Sequence, residues 1–175
     1  MGMRSVSRML IAGAMLVGMI AFATSMVAAH GKGVFIAGMD GYEEVPSVST
    51  AGHGHLWIRI SPDEQMIEYE LSYGGLSSPV GGAHIHFGRR HTNGGVMVPL
   101  CRGVEQSDPA SPVPVCVDEG VVEGTITARQ VVGPAAQGIA PGQLREFIRA
   151  LRAGAGYVNV HTARFPTGEI RGQIR

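Results

Sequence analysis

The chain has no excess of charge of either sign: 14 basic and 14 acidic residues give a formal net charge of zero. That balance removes the electrostatic case for nucleic acid or an anionic membrane surface as a partner. Cysteine is scarce, with Cys101 and Cys116 the only pair. No Cys-x-x-Cys spacing is present, which argues against thiolate metal ligation or a dithiol redox couple. Also missing are a nucleophile elbow, a phosphate-binding glycine-rich loop and a His-Glu-x-x-His helix, so the common hydrolase, nucleotide and zincin chemistries have no support. No internal repeat, heptad run or low-complexity tract appears.

What the chain does have is 26 glycines and 10 prolines in 175 residues, a composition suited to many short strands joined by tight turns. The length suits one domain with a real core. Residues 1–29 read as a Sec-type signal peptide. Arg4 and Arg8 form its positive region, Met9 to Ala23 is apolar apart from glycines, and Val27-Ala28-Ala29 supplies small residues for cleavage after Ala29. No cysteine lies near that site to carry a lipid, and no Arg-Arg pair marks a twin-arginine route. The alternative is an uncleaved anchor, since Met9 to Ala29 is about long enough to span a bilayer. Cleavage leaves a mature domain of residues 30–175, periplasmic or secreted, with no further membrane segment. Loss of Arg4 and Arg8 makes it faintly acidic. In such an oxidising compartment Cys101 and Cys116 are expected to form a disulfide closing a Pro/Ser-rich loop.

Strand-like alternation recurs along the rest of the chain. Val34 to Ala37 is a short first strand. His55 to Ile60 places Leu56, Ile58 and Ile60 on one face, with His53, His55, Trp57 and Arg59 on the other. Met66 to Tyr73 turns Ile67, Tyr69, Leu71 and Tyr73 inward, and the two make a hairpin. In it Glu68 and Glu70 read as cross-strand ion pairs with Arg59 rather than as a carboxylate dyad. Ala83 to Gly88 follows, then an Asn93-Gly94 turn, then Val96 to Leu100, where Pro99 argues that the strand lies at an edge or ends there. Val121 to Ala128, Tyr157 to Thr162 and Glu169 to Ile174 complete the set. One helix is expected over 143–153, where Leu144, Phe147, Ile148 and Leu151 form a stripe that Gly154 ends. The expectation is an all-β, antiparallel, Greek-key-like sandwich or barrel of about seven or eight strands, most with one buried and one solvated face.

Chemistry concentrates on Ala83-His84-Ile85-His86-Phe87-Gly88. As a strand it sends His84 and His86 to the same face about 7 Å apart, within reach of one ion. Tyr157-Val158-Asn159-Val160-His161 puts His161 on a face with Asn159 and Tyr157. If the two strands are neighbours, His84, His86 and His161 form a three-imidazole site suited to copper or, less well, zinc, with a coordination position left open. Asn159 and Tyr157 would then orient the imidazoles, or else stand as solvated sheet residues. The competing reading makes the histidines structural, holding loop carbonyls or carboxylates. His53 and His55 repeat the His-x-His spacing and would extend the site if their strand lay beside the His84 strand. His91, in the loop after Arg89-Arg90, is a possible capping ligand. Cleavage after Ala29 would also expose His30 as an N-terminal residue able to chelate copper through its amine and ring.

Glu44-Val45-Pro46, Ala83-His84-Ile85-His86, and Tyr157-Val158-Asn159-Val160-His161-Thr162 followed by Pro166-x-Gly168-Glu169-Ile170-Arg171-Gly172-Gln173 together resemble the CHRD (chordin-type) domain. The resemblance covers roughly Val34 to Arg175. It implies a β-sandwich in secreted or periplasmic proteins, with His84, His86 and His161 on motif positions, and no defined biochemical activity. His84-Ile85-His86-Phe87-Gly88 is also locally similar to copper–zinc superoxide dismutase. Between His91 and His161, however, the chain has no histidine to bridge two metals or bind zinc. The expected function is therefore copper binding or handling in the cell envelope rather than turnover. The alternatives are an extracytoplasmic protein-interaction module with structural histidines and a mononuclear copper redox enzyme.

Overall fold

The computed structural model describes Met1, residues 33–106 and residues 112–175. The expected signal peptide (Met1 aside) and His30 therefore lie outside the described residues. Eight strands form one antiparallel sheet: β1 (Val34–Asp40), β2 (His53–Ile60), β3 (Ile67–Gly74), β4 (Val80–Phe87), β5 (Val96–Arg102), β6 (Gly120–Ile126), β7 (Gly156–Thr162) and β8 (Ile170–Gln173). Their order is β5-β4-β7-β8-β1-β2-β3-β6. The sheet curls into a nearly closed barrel whose two free edges are β5 and β6. Pro99 accordingly sits on an edge strand, where its missing N–H is tolerated.

Alternation builds the interior. Phe35 and Ala37 of β1, Leu56 and Ile58 of β2, Ile67 and Leu71 of β3, Ile85 of β4 and Val158 and Val160 of β7 are all buried. Tyr69, also inward, donates its hydroxyl across the barrel to the Leu100 carbonyl of β5, so its one polar atom is satisfied. The expected helix forms as α1 (Leu144–Arg152) and buries Leu144, Phe147, Ile148 and Leu151. In the hairpin Arg59 pairs with Glu68; the expected pairing with Glu70 does not occur, because Glu70 stands opposite Trp57 in the β2–β3 register.

Closure at the β5 edge is made by the loop that follows it. Arg102 forms a parallel bridge with Val115, and Cys101 is disulfide-bonded to Cys116 with Cα atoms 5.0 Å apart. On the other side Val132 N–H donates to the Met97 carbonyl. The disulfide closes a separation of 15 residues, for which chain-entropy reasoning gives about 3 kcal/mol. The Cys101→Ser/Cys116→Ser double variant should lose about that much in urea-monitored unfolding at unchanged m. A midpoint equal to that of the unmodified protein would show that the barrel edge closes without it.

Candidate metal centre

β4 and β7 are neighbours, and their register sets Gly82 opposite His161, His84 opposite Asn159 and His86 opposite Tyr157. Because side chains alternate along a strand, His84, His86, Tyr157, Asn159 and His161 all leave the same, outer face. The ring centroids are 5.7 Å apart for His84 and His86, 4.9 Å for His84 and His161, and 6.0 Å for His86 and His161. One nitrogen from each lies within 4.8 Å of the others, and this is the only such His/Cys/Asp/Glu group that could hold a metal ion among the described residues.

The hydrogen bonds determine which nitrogens are free. His86 Nδ1 lies 2.9 Å from the Gly94 carbonyl and His161 Nδ1 lies 3.1 Å from the Pro166 carbonyl. A carbonyl only accepts, so each Nδ1 carries the proton and each Nε2 keeps its lone pair. Both Nε2 atoms are buried without a hydrogen-bond partner, as is His84 Nδ1. Unpartnered buried polar atoms are rare in native proteins, and three converging ones fit a cation that would accept their lone pairs. On His86 and His161 one ring nitrogen is thus held by a backbone carbonyl while the other is left free, so a structural role for these rings does not exclude a metal.

Electrostatics agree. Burial, with the other two imidazoles and Arg102 adding to it, pushes His84 down to about 3. Burial and His86 push His161 down to about 4, and burial lowers His86 as well. All three rings are neutral, the form that binds metal, across the physiological range.

The outer face of this quarter of the barrel is not solvated as its alternation suggested. Tyr157 and Asn159 are each only 3% exposed, because the 88–95 loop and the turn around Glu44 fold over them. Asn93 Nδ2 donates to the Val45 carbonyl, and Arg90 pairs with Glu43. The Asn159 side chain lies between Glu44 and His86, close enough to influence both, without a hydrogen bond to His86 Nε2. Tyr157 stacks on His86 with centroids 4.9 Å apart and planes 11° from parallel. Its hydroxyl accepts the Gly94 N–H, fixing the same residue whose carbonyl holds His86. Tyr157 and Asn159 are thus packed under the loop beside the rings rather than solvated.

Two residues of this surround were not singled out as functional from the sequence. Arg171, from β8, is 2% exposed and lies over the Tyr157 ring at 3.4 Å. Glu44 is buried, and burial pushes its carboxyl up to about 7 despite the opposing pull of Arg171. Gly168 makes room for it: φ is +131°, and a Cβ there would collide with Glu44 Oε1. Arg171 and Glu44 both lie in the motifs that carry the family resemblance, Glu44-Val45-Pro46 and Pro166 to Gln173, and that membership was the signal available in the sequence.

The other histidines stand apart. His53 and His55 are exposed on β2, which pairs with β1 and β3 and is separated from β7 by β8 and β1. They do not extend the cluster. His91 is exposed at a turn with φ of +63° and is not among the converging residues.

These shifts predict the acid response of the metal-free protein. As pH falls below about 6.5 the unfolded chain binds protons that the fold resists at all three histidines, until about 4 for His161 and about 3 for His84, so stability falls as pH drops. Glu44 acts in the opposite sense: between 4.5 and 7 the fold holds its proton better than the unfolded chain does, so its contribution is lost as pH rises. Three groups outweigh one. The urea midpoint in chelator should be lower at pH 5 than at pH 7, and a higher midpoint at pH 5 would contradict the neutral, buried assignment of the rings.

A nearly closed, eight-stranded antiparallel barrel with three imidazoles converging on its outer face defines the class: an all-β domain with a possible three-histidine metal centre. The family model for the CHRD domain matches residues 35–174, and the chain belongs to that family. No curated protein and no solved structure matches it.

Proposed function

We propose that this CHRD domain binds copper through His84, His86 and His161 and serves in metal binding or handling outside the cytoplasm. The observation that carries the reading is the convergence of three buried, unpartnered imidazole nitrogens, two of them on rings whose other nitrogen is held by a backbone carbonyl. A donor set of neutral nitrogens without thiolate or carboxylate suits Cu(II) above Zn(II) in the divalent series. The disulfide and the signal-like residues 1–29 support export to an oxidising compartment. Among the described residues no helix is long and apolar enough to cross a membrane. When bound, the ion would supply a Lewis-acidic centre; the chain's own part is to present three neutral rings, two of them in a tautomer fixed by a backbone carbonyl.

Calorimetric titration with Cu(II) and Zn(II) tests this. Cu(II) should bind with a dissociation constant below about 1 μM and more tightly than Zn(II). His161→Ala should weaken it at least about tenfold. Binding no tighter than micromolar would remove the metal reading, and an unchanged affinity in His161→Ala would remove that residue from the site.

A further inference from the structure

Two arginines flank the three-histidine cluster, and they are held very differently. Arg171, on the β8 side, is fully engaged: its guanidinium donates to Asn93 Oδ1 and to the Arg89 and Thr92 carbonyls. It covers the Tyr157 ring, and Glu44 opposes its charge. Arg102, on the β5 side, is half-buried. Among the described residues its side chain has no acidic partner.

The register brings Arg102 to the cluster. It lies opposite Gly82 on β4, and Gly82 lies opposite His161 on β7. Cys101, its neighbour in the chain, is fully buried opposite Ala83, so Arg102 leaves the same outer face as the three rings. Gly82 places no side chain between them; a Cβ there would stand 3.4 Å from His84 Cε1. The Arg102 backbone is clamped from beyond the strand, its N–H donating to the Pro114 carbonyl and its carbonyl accepting from Cys116 N–H. The disulfide thus fixes beside the histidines a guanidinium that has no acidic partner among the described residues.

Three neutral imidazoles cancel none of a divalent ion's charge, and the cluster contains no carboxylate ligand. A half-buried divalent centre with a further cation beside it favours an anion in the position the protein leaves open. We propose that Arg102 makes that open position a site for a small monovalent anion, which binds the metal at one end and the guanidinium at the other. This rests on the metal reading above and adds the class of ligand the centre takes.

Azide is the probe, titrated into Cu(II)-loaded protein and followed by its charge-transfer absorption. The unmodified protein should bind azide saturably. Arg102→Gln should weaken azide at least about fivefold while copper, relieved of a neighbouring cation, binds as tightly as before or more tightly. Arg102→Lys, which keeps the charge, should lose less. Arg102→Met keeps the aliphatic stem and serves as the second neutral variant if Arg102→Gln does not fold. Equal azide affinity in the unmodified protein and a folded, copper-loaded neutral variant would overturn this inference and leave the metal site standing. Absence of copper binding by the unmodified protein would overturn both.

Discussion

Glu169→Ala should destabilise the protein by about 3–5 kcal/mol. The residue sits just before β8 with 0% of its surface exposed, and its carboxylate accepts four hydrogen bonds. Thr50 Oγ1 donates to Oε1 at 2.6 Å and the Ser77 N–H at 2.8 Å. Ser77 Oγ donates to Oε2 at 2.8 Å and Thr162 Oγ1 at 2.7 Å. The carboxylate therefore ties together segments separated by 119 and 92 residues of chain. Burial alone would raise its pKa, but the four donors outweigh that and hold it below its ordinary 4.5. Alanine would leave these donors facing a void. Glutamine keeps the shape but turns an NH2 toward two of them, so it should cost about half as much. Because the folded pKa is depressed, the stabilisation is present above about pH 4.5 and is lost as pH falls through the folded value. Urea unfolding of both variants at pH 7 measures this. A loss below about 1 kcal/mol for alanine would mean the network is replaceable.

Arg171→Ala should cost about 3 kcal/mol and, in the same variant, weaken copper binding about tenfold. The guanidinium is what holds the 88–95 loop down, through Asn93 Oδ1 at 3.1 Å and the Thr92 carbonyl at 2.7 Å. That loop in turn carries the Gly94 carbonyl that fixes the tautomer of His86. Glu44 would lose the charge that opposes its rise and would shift further up, taking a proton rather than remaining a buried anion, which limits the loss. Lysine keeps the charge but lacks the planar fork that reaches three oxygens at once, so Arg171→Lys should still lose at least about 1 kcal/mol. Metal-free urea unfolding and Cu(II) titration report the two effects separately. Unchanged copper affinity in a destabilised variant would confine Arg171 to a structural role.

How much of this was legible in the chain depended on whether the signal was local. The period-2 alternation of residues 55–60 and 66–73 gave β2 and β3, and Pro99 gave an edge strand, because strand facing and a missing N–H are properties of a few adjacent residues. The stripe at Leu144, Phe147, Ile148 and Leu151 gave α1 for the same reason. His84 and His86 were bound to share a face in any strand that contained them. The place of His161 beside them, by contrast, depends on β4 pairing with β7 rather than with another strand, and nothing local encodes that choice. The same limit separates His53 and His55, which have the right spacing on the wrong strand.

Local order alone determined that this is an all-β chain with paired imidazoles on one strand face and a further imidazole on another strand. Only the tertiary structure decided that those rings converge and that Tyr157 and Asn159 are roofed over by the 88–95 loop. It also decided that Arg171 is held by Asn93 and two loop carbonyls, while Arg102 has no acidic partner among the described residues. Periodicity specifies which way a side chain leaves its own backbone. Which groups it then meets depends on strand neighbours and covering loops drawn from distant parts of the chain.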